Sequence, residues 1–191
     1  MYKVRLTLFA LLGVIALGTI YFVFLKPKER EVFFPEWLGK EVVFPSELQQ
    51  LKDKKPTAIN DFLTTNEGKN KIISIIDASC AKCIMGQLNK IDSLFSGIAH
   101  KDNKTTMVFV VNFYEQDFDN FMLTLYPMIK ARAVILWDKD YFFETKNDIF
   151  TPKLNGRTFM LNANNEIVLV GSPLFNDGIL QEYEKLVKNT G

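Results

Sequence analysis

The chain has 191 residues, 48% of them apolar, and its 23 basic and 22 acidic residues leave a formal charge of +1. That balance offers no basic surplus to displace the counterions of a nucleic acid, so no nucleic-acid partner is expected. Two cysteines and one histidine can build neither the disulfide framework of a small secreted scaffold nor, without carboxylates, a four-ligand structural zinc site, and 17 phenylalanines exclude a disordered chain.

Residues 1–5 are a short basic start carrying Lys3 and Arg5. Residues 6–25 carry no charge, and at about 1.5 Å per helical residue they span roughly 30 Å, the thickness of a bilayer core. Only Thr7, Thr19 and Tyr21 interrupt the run, whereas a core helix of that length carries a polar face. The pattern predicts a transmembrane helix. A cleaved secretory signal would end in small residues, but Tyr21, Phe22, Phe24 and Leu25 are bulky, and no cysteine stands near for a lipid anchor. An uncleaved signal anchor is therefore the expectation, with export after signal cleavage as the alternative. Lys3 and Arg5 on one side and Lys26, Lys28 and Arg30 on the other leave orientation open on charge alone. Residues 26–31 read as a charged linker. From Lys26 onward 21 basic residues face 22 acidic ones, and residues 32–191 suffice for one domain with a sizeable core.

Along that domain, a short strand is predicted over 41–44, closed by Pro45, followed by a helical turn or loop over 47–52. Four of the seven residues over 71–77 are β-branched isoleucines in a nearly continuous run, as a strand buried on both faces requires. A helix is expected from just after Ser79 to about residue 95, with Ile84, Leu88, Ile91, Leu94 and Phe95 forming its apolar stripe. Next come a strand over 106–112, a helix over 117–130, a strand over 133–137 and a short helix over 141–150. Strands over 158–161 and 166–170 flank Asn162, Asn164 and Asn165, which suit a hairpin turn. A last helix covers about 177–188. This order predicts an α/β fold, a mixed sheet with helices on both faces.

The two cysteines fall in one window, Cys80-Ala81-Lys82-Cys83, where the strand gives way to the helix. A thiol over the unpaired N–H groups and positive dipole of a helix start is favoured as thiolate. Cys80 is the candidate nucleophile, and Cys83, one turn on, the resolving thiol that can attack a mixed disulfide. Lys82 adds a cation between them. Asp77 has two roles open to it, raising the thiol pKa or binding backbone N–H groups in the turn. Ser79 reads as an N-cap. Against redox chemistry stands the alternative of two buried, inert thiols.

The segment Ile72-Ile-Ser-Ile-Ile-Asp-Ala-Ser-Cys-Ala-Lys-Cys83 is similar to the strand ending in Ala-Ser-Trp-Cys-x-x-Cys of thioredoxin-fold proteins of the TlpA/ResA type, the membrane-tethered thiol–disulfide oxidoreductases outside the bacterial cytoplasm. Asn155-Gly-Arg-Thr-Phe-Met-Leu-Asn-Ala-Asn-Asn-Glu-Ile-Val168 resembles that family's Gly-x-Pro-Thr-Phe hairpin. The likeness covers about residues 70–188, making 70–191 the expected thioredoxin-like domain and 32–69 its N-terminal extension, and the composition suggests a Bacteroidetes-type source. The chain departs from the family at Ser79, where a tryptophan stands, at Ser74, where many members bury an acid, and at Arg157, where the cis-proline stands. A cis bond before a non-proline residue costs about 2.5–4 kcal/mol, so a trans bond is expected there. Arg157 has two readings, a cation near Cys80 or a solvated edge charge; Thr158 follows it as a possible site-lining residue.

The resemblance implies that Cys80 and Cys83 cycle between dithiol and disulfide. Its partners would be exported protein thiols or disulfides and a membrane redox partner. Residues 6–25 would hold the chain in the inner membrane with its domain in the periplasm. No cofactor and no metal are expected. Alternative readings are a non-catalytic binding or redox-sensor module and a copper-handling protein, the latter opposed by the position of His100, and the paired cysteines argue against a peroxidase.

Overall fold

The structure is a computed structural model that describes residues 34–78, 81–99, 104–129 and 133–189, with the side chains of 81–85, 96, 97, 99, 128, 154, 155, 177 and 189 outside that description. The predicted anchor, linker and His100 lie outside the described residues. Among the described residues no helix is long and apolar enough to cross a membrane.

Among the described residues seven strands form one sheet: β1 Gln49–Lys52, β2 Lys55–Ala58, β3 Asn70–Asp77, β4 Thr105–Asn112, β5 Val134–Asp138, β6 Thr158–Leu161 and β7 Ile167–Val170, in the order β2-β1-β5-β4-β3-β6-β7. Strands β3, β4 and β5 run parallel; β6 and β7 add antiparallel on one side and β1 and β2 on the other. Among the described residues the helical segments are α1 Asn60–Thr65, α2 Ala81–Ala99, an irregular α3 over 115–128, α4 Phe142–Asn147 and α5 Asp177–Asn189, with short 3-10 turns at Pro35–Trp37 and Leu154–Arg157.

Alternation along the strands sorts side chains to two faces. Ile72, Ile76, Phe109, Val111, Ile135 and Met160 meet Leu88, Ile91 and Phe95 of α2 and Ile179, Tyr183 and Val187 of α5. Leu88, Ile91 and Phe95 are the predicted stripe; Leu94 is half-buried. The Phe95 ring meets Tyr183 edge-on at 4.7 Å, and the Tyr183 hydroxyl donates to Gly171 O at 3.0 Å. Complete burial raises the Tyr183 phenol well above its ordinary pKa. On the opposite face Ile73, Ile75, Val108, Val110, Leu136 and Phe159 pack against Trp37, Val42, Phe44, Phe62 and Phe143. With both faces covered, β3 and β4 are apolar at almost every position, as parallel strands between two layers must be.

Three expectations are corrected. Residues 41–44 form no strand beyond a single bridge, Glu41 to Glu166. Instead the buried Asn147 side chain accepts from Val43 N and donates to Val43 O, each at 2.8 Å, satisfying the backbone without a neighbouring strand. The stretch 47–52 contains strand β1, hairpinned to β2 through Asp53 (φ 51) and Lys54 (φ 65). Two left-handed residues make a type I′ turn without the usual glycine, and Pro56 is tolerated because β2 is the sheet edge. The helix expected over 117–130 is α3, made of 3-10, α, π and 3-10 turns, with Lys130 outside the described residues. Pro127 lacks the N–H that would bond the carbonyl of Leu123, so regular winding ends there. Phe113 stacked on Phe121 (4.3 Å) and Trp137 (5.1 Å) fixes the irregular segment to the sheet. From residue 34 on, the described residues belong to one compact unit, and Trp37, Val42, Phe44 and Phe62 of the predicted extension pack in its core.

Candidate functional site at the carboxyl ends of the parallel strands

β3 ends at Asp77, Ala78 N donates to Asn112 O at 2.8 Å, and α2 is under way by Ala81. The cysteine window spans this turn. Ser79 and Cys80 lie outside the described residues; Lys82 and Cys83 are described by backbone alone, in the first turn of α2.

Register brings three polar residues into a row, since Asp77 pairs with Asn112 and Asn112 with Asp138. All three share the strand parity of the face covered by α4. Asp138 is 1% exposed and caps that helix: its carboxylate accepts from Phe142 N (3.0 Å) and Phe143 N (2.9 Å). Burial raises its pKa, and those N–H groups partly offset the rise.

From the first turn of α4, Glu144 reaches the same row. It is 1% exposed, and its Oε2 accepts from Asn112 Nδ2 at 2.7 Å. Its other oxygen, Oε1, and Asn112 Oδ1 are buried with no hydrogen-bond partner among the described residues. Burial pushes the Glu144 carboxyl above the ordinary range; Arg157 and Asn112 pull it down, while Asp138 and Asp77 push it further up. Tyr141, immediately before α4, holds φ 58, a left-handed conformation costly for a bulky residue. Its ring lies 6.1 Å from Tyr114, and burial, then Asp77, raises its phenol.

Arg157 ends the 3-10 turn Leu154–Arg157 and stands directly before β6. Its Nε donates to Thr151 O at 3.2 Å, and its side chain is half-buried with its charge felt by Glu144 and Tyr141. It is therefore held against the domain and is not a freely solvated edge charge. The described peptide bonds are all trans, the one before Arg157 included. Gly156 permits the turn by close approach: a Cβ there would meet Phe34 Cε2 at 2.5 Å and Thr151 Cγ2 at 2.8 Å. Phe34, stacked on Trp37 at 4.5 Å, thus lets the N-terminal extension buttress the Arg157 turn. Thr158 is buried, its hydroxyl 3.1 Å from Ser74 Oγ across the β3–β6 pair, so the two satisfy each other inside the sheet.

Asp77 thus ends β3 and Arg157 stands directly before its antiparallel neighbour β6, while Thr158 turns inward to Ser74. Sequence reasoning missed Asn112, Asp138, Tyr141 and Glu144. Asp138 carried a signal, an aspartate just before a predicted helix. Glu144 carried none, because its burial follows from register and from where α4 docks. Among the described residues no cluster of three His, Cys, Asp or Glu side chains could hold a metal ion.

No protein-family model and no curated protein matches the chain. Solved structures do. An uncharacterized thioredoxin-like protein from Porphyromonas gingivalis superposes with TM-score 0.55 at 17% identity over 80% of this chain and 96% of its own. The thioredoxin domain of a thiol-disulfide oxidoreductase from Bacteroides vulgatus gives 0.52 at 16% identity over 78% and 97%. A proposed thiol:disulfide interchange protein DsbE from Chlorobium tepidum gives 0.52 at 12% identity over 78% and 96%. At these identities the likeness is one of fold, and the fold of this chain is thioredoxin-like.

Proposed function

We propose that this chain is a thiol–disulfide oxidoreductase of the TlpA/ResA type, tethered to the inner membrane by residues 6–25 and exchanging a Cys80/Cys83 disulfide with exported protein thiols in the periplasm. The observation that carries the reading is the position of the cysteine window, with Cys83 in the first turn of the helix that follows a buried parallel strand of a thioredoxin-like sheet.

In the reducing direction, the Cys80 thiolate attacks a substrate disulfide, forming a mixed disulfide and expelling one substrate thiolate. Cys83 then attacks the Cys80 sulfur, closing the Cys80–Cys83 disulfide and releasing the second substrate thiol. Two electrons and two protons pass to the substrate, and a dithiol donor in the membrane restores the pair. The reverse sequence oxidises a substrate dithiol, and reduction potential sets the direction. In this reading Glu144, a buried carboxyl whose pKa feels Arg157 and Asp77, takes part in these proton movements.

The test is a redox-buffer titration of thiol labelling on the full chain in detergent, paired with an insulin-reduction assay. We expect a reversible two-electron transition and turnover that Cys80→Ser abolishes. An unreactive pair, or undiminished turnover in Cys80→Ser, overturns the reading. Protease protection of the domain in right-side-out vesicles would place it in the cytoplasm and overturn the periplasmic assignment.

A further inference from the structure

At the other end of β3, Lys71 is 3% exposed, and its Nζ donates to Lys69 O and Asn165 Oδ1, each at 2.9 Å. Both acceptors are neutral. Among the described residues no carboxylate lies within ion-pair distance of it. Burial, then the like charge of Lys69, lowers its pKa. An ammonium has three donors, so one N–H is left over, and a buried charge is ordinarily retained only with an opposite partner.

Lys71 lines a pocket of about 430 Å³ between the α1–β3 loop and the β6–β7 turn. Phe44 and Leu63 give it an apolar wall, Thr64 and Asn165 a polar one, and Glu67 stands on its lining as a carboxylate. Asn66 is locked in place, donating to Phe62 O at 2.9 Å and accepting from Thr106 Oγ1 at 2.6 Å, so the wall is set without a ligand. The volume suits a small organic molecule. Glu67 opposes a dianion such as phosphate, and a neutral ligand would leave the Lys71 charge unmet. We propose that this pocket binds a monocarboxylate with a short apolar body, its carboxylate receiving the remaining N–H of Lys71 and its apolar part lying against Phe44 and Leu63. A free short-chain acid and the C-terminal carboxylate of a peptide both present that chemistry.

The experiment titrates the full chain in detergent with 4-methylpentanoate, N-acetyl-leucine, 4-methylpentanamide and phosphate, by calorimetry and thermal unfolding. Binding of either carboxylate, with Tm rising by roughly 3–6 °C at ten times Kd and no response to amide or phosphate, supports the proposal. The tighter of the two assigns the source, free acid or peptide terminus. Lys71→Met is expected to weaken binding at least tenfold without changing insulin reduction. Asn165→Asp, tolerable at φ 63, puts a carboxylate on Nζ and should both block binding and raise Tm unaided; it decides the matter if Lys71→Met does not fold. No binding of either carboxylate, equal binding of the amide, or unchanged binding in both variants overturns the proposal.

Discussion

The two ends of β3 bury opposite charge. At its carboxyl end Asp138 and Glu144 are withdrawn from water beside Asn112, with the half-buried Arg157 near them; at its amino end Lys71 is withdrawn alone among neutral acceptors. Between its ends β3 is apolar on both faces apart from Ser74, which pairs with Thr158. Buried charge along β3 therefore gathers at its two ends, and the ends differ in how it is met. Asp138 is answered by two backbone N–H groups and Glu144 only in part, by one amide. Partial satisfaction in a low-dielectric site is costly, and it is retained most readily where chemistry uses it.

The largest expected effect is the loss of turnover in Cys80→Ser; Cys83→Ser should instead accumulate the mixed disulfide, visible on a non-reducing gel. Next comes Glu144→Ala, which leaves the buried Asn112 amide without its acceptor and opens a small cavity. It should cost about 1–3 kcal/mol in denaturant unfolding. Asp138→Ala removes the cap of α4 and should cost about 1–2 kcal/mol.

Glu144→Gln separates charge from shape. A carboxyl with its folded pKa raised above the ordinary 4.5 binds its proton more tightly folded than unfolded. Its contribution to stability is full below that value and is lost as pH rises through the folded pKa. The variant should therefore show a shallower fall in stability than the parent as pH rises from about 4.5 toward neutrality. It should also shift the pH profile of insulin reduction; an unmoved profile would make Glu144 a packing residue and remove the functional contrast between the two ends.

Legibility in the sequence followed periodicity. Strand β3, the stripe of Leu88, Ile91 and Phe95, and the asparagine turn between β6 and β7 were all visible because repeated apolar side chains or turn chemistry announce them. The hairpin of β1 and β2 was hidden because Gln49-Gln50-Leu51-Lys52 buries only Leu51 fully and its turn residues are Asp53 and Lys54, with no glycine. Residues 41–44 misled because a β-branched run can be satisfied by one side chain, here Asn147. At the site, the cysteine window and Arg157 could be read locally, whereas the Asp77, Asn112, Asp138 row exists only once three strands are in register.

The smallest effects test whether backbone strain also differs between the ends. Lys54 (φ 65), in the turn after β1, and Tyr141 (φ 58), before α4, hold the same left-handed conformation at opposite ends of the sheet. In Lys54 the strain closes a hairpin, so Lys54→Gly should stabilise by about 1 kcal/mol, net of the glycine's greater unfolded entropy, and leave insulin reduction unchanged. Tyr141 also lies against Tyr114 and within the field of Asp77, Glu144 and Arg157. Tyr141→Gly gains the same backbone relief but loses that ring contact, so its stability should change by less than in Lys54→Gly. Its insulin reduction should nonetheless fall, because the ring lies within the field of Asp77, the last residue of β3 before the cysteine window. Equal activity in both variants would show that the strain at Tyr141 serves only the start of α4.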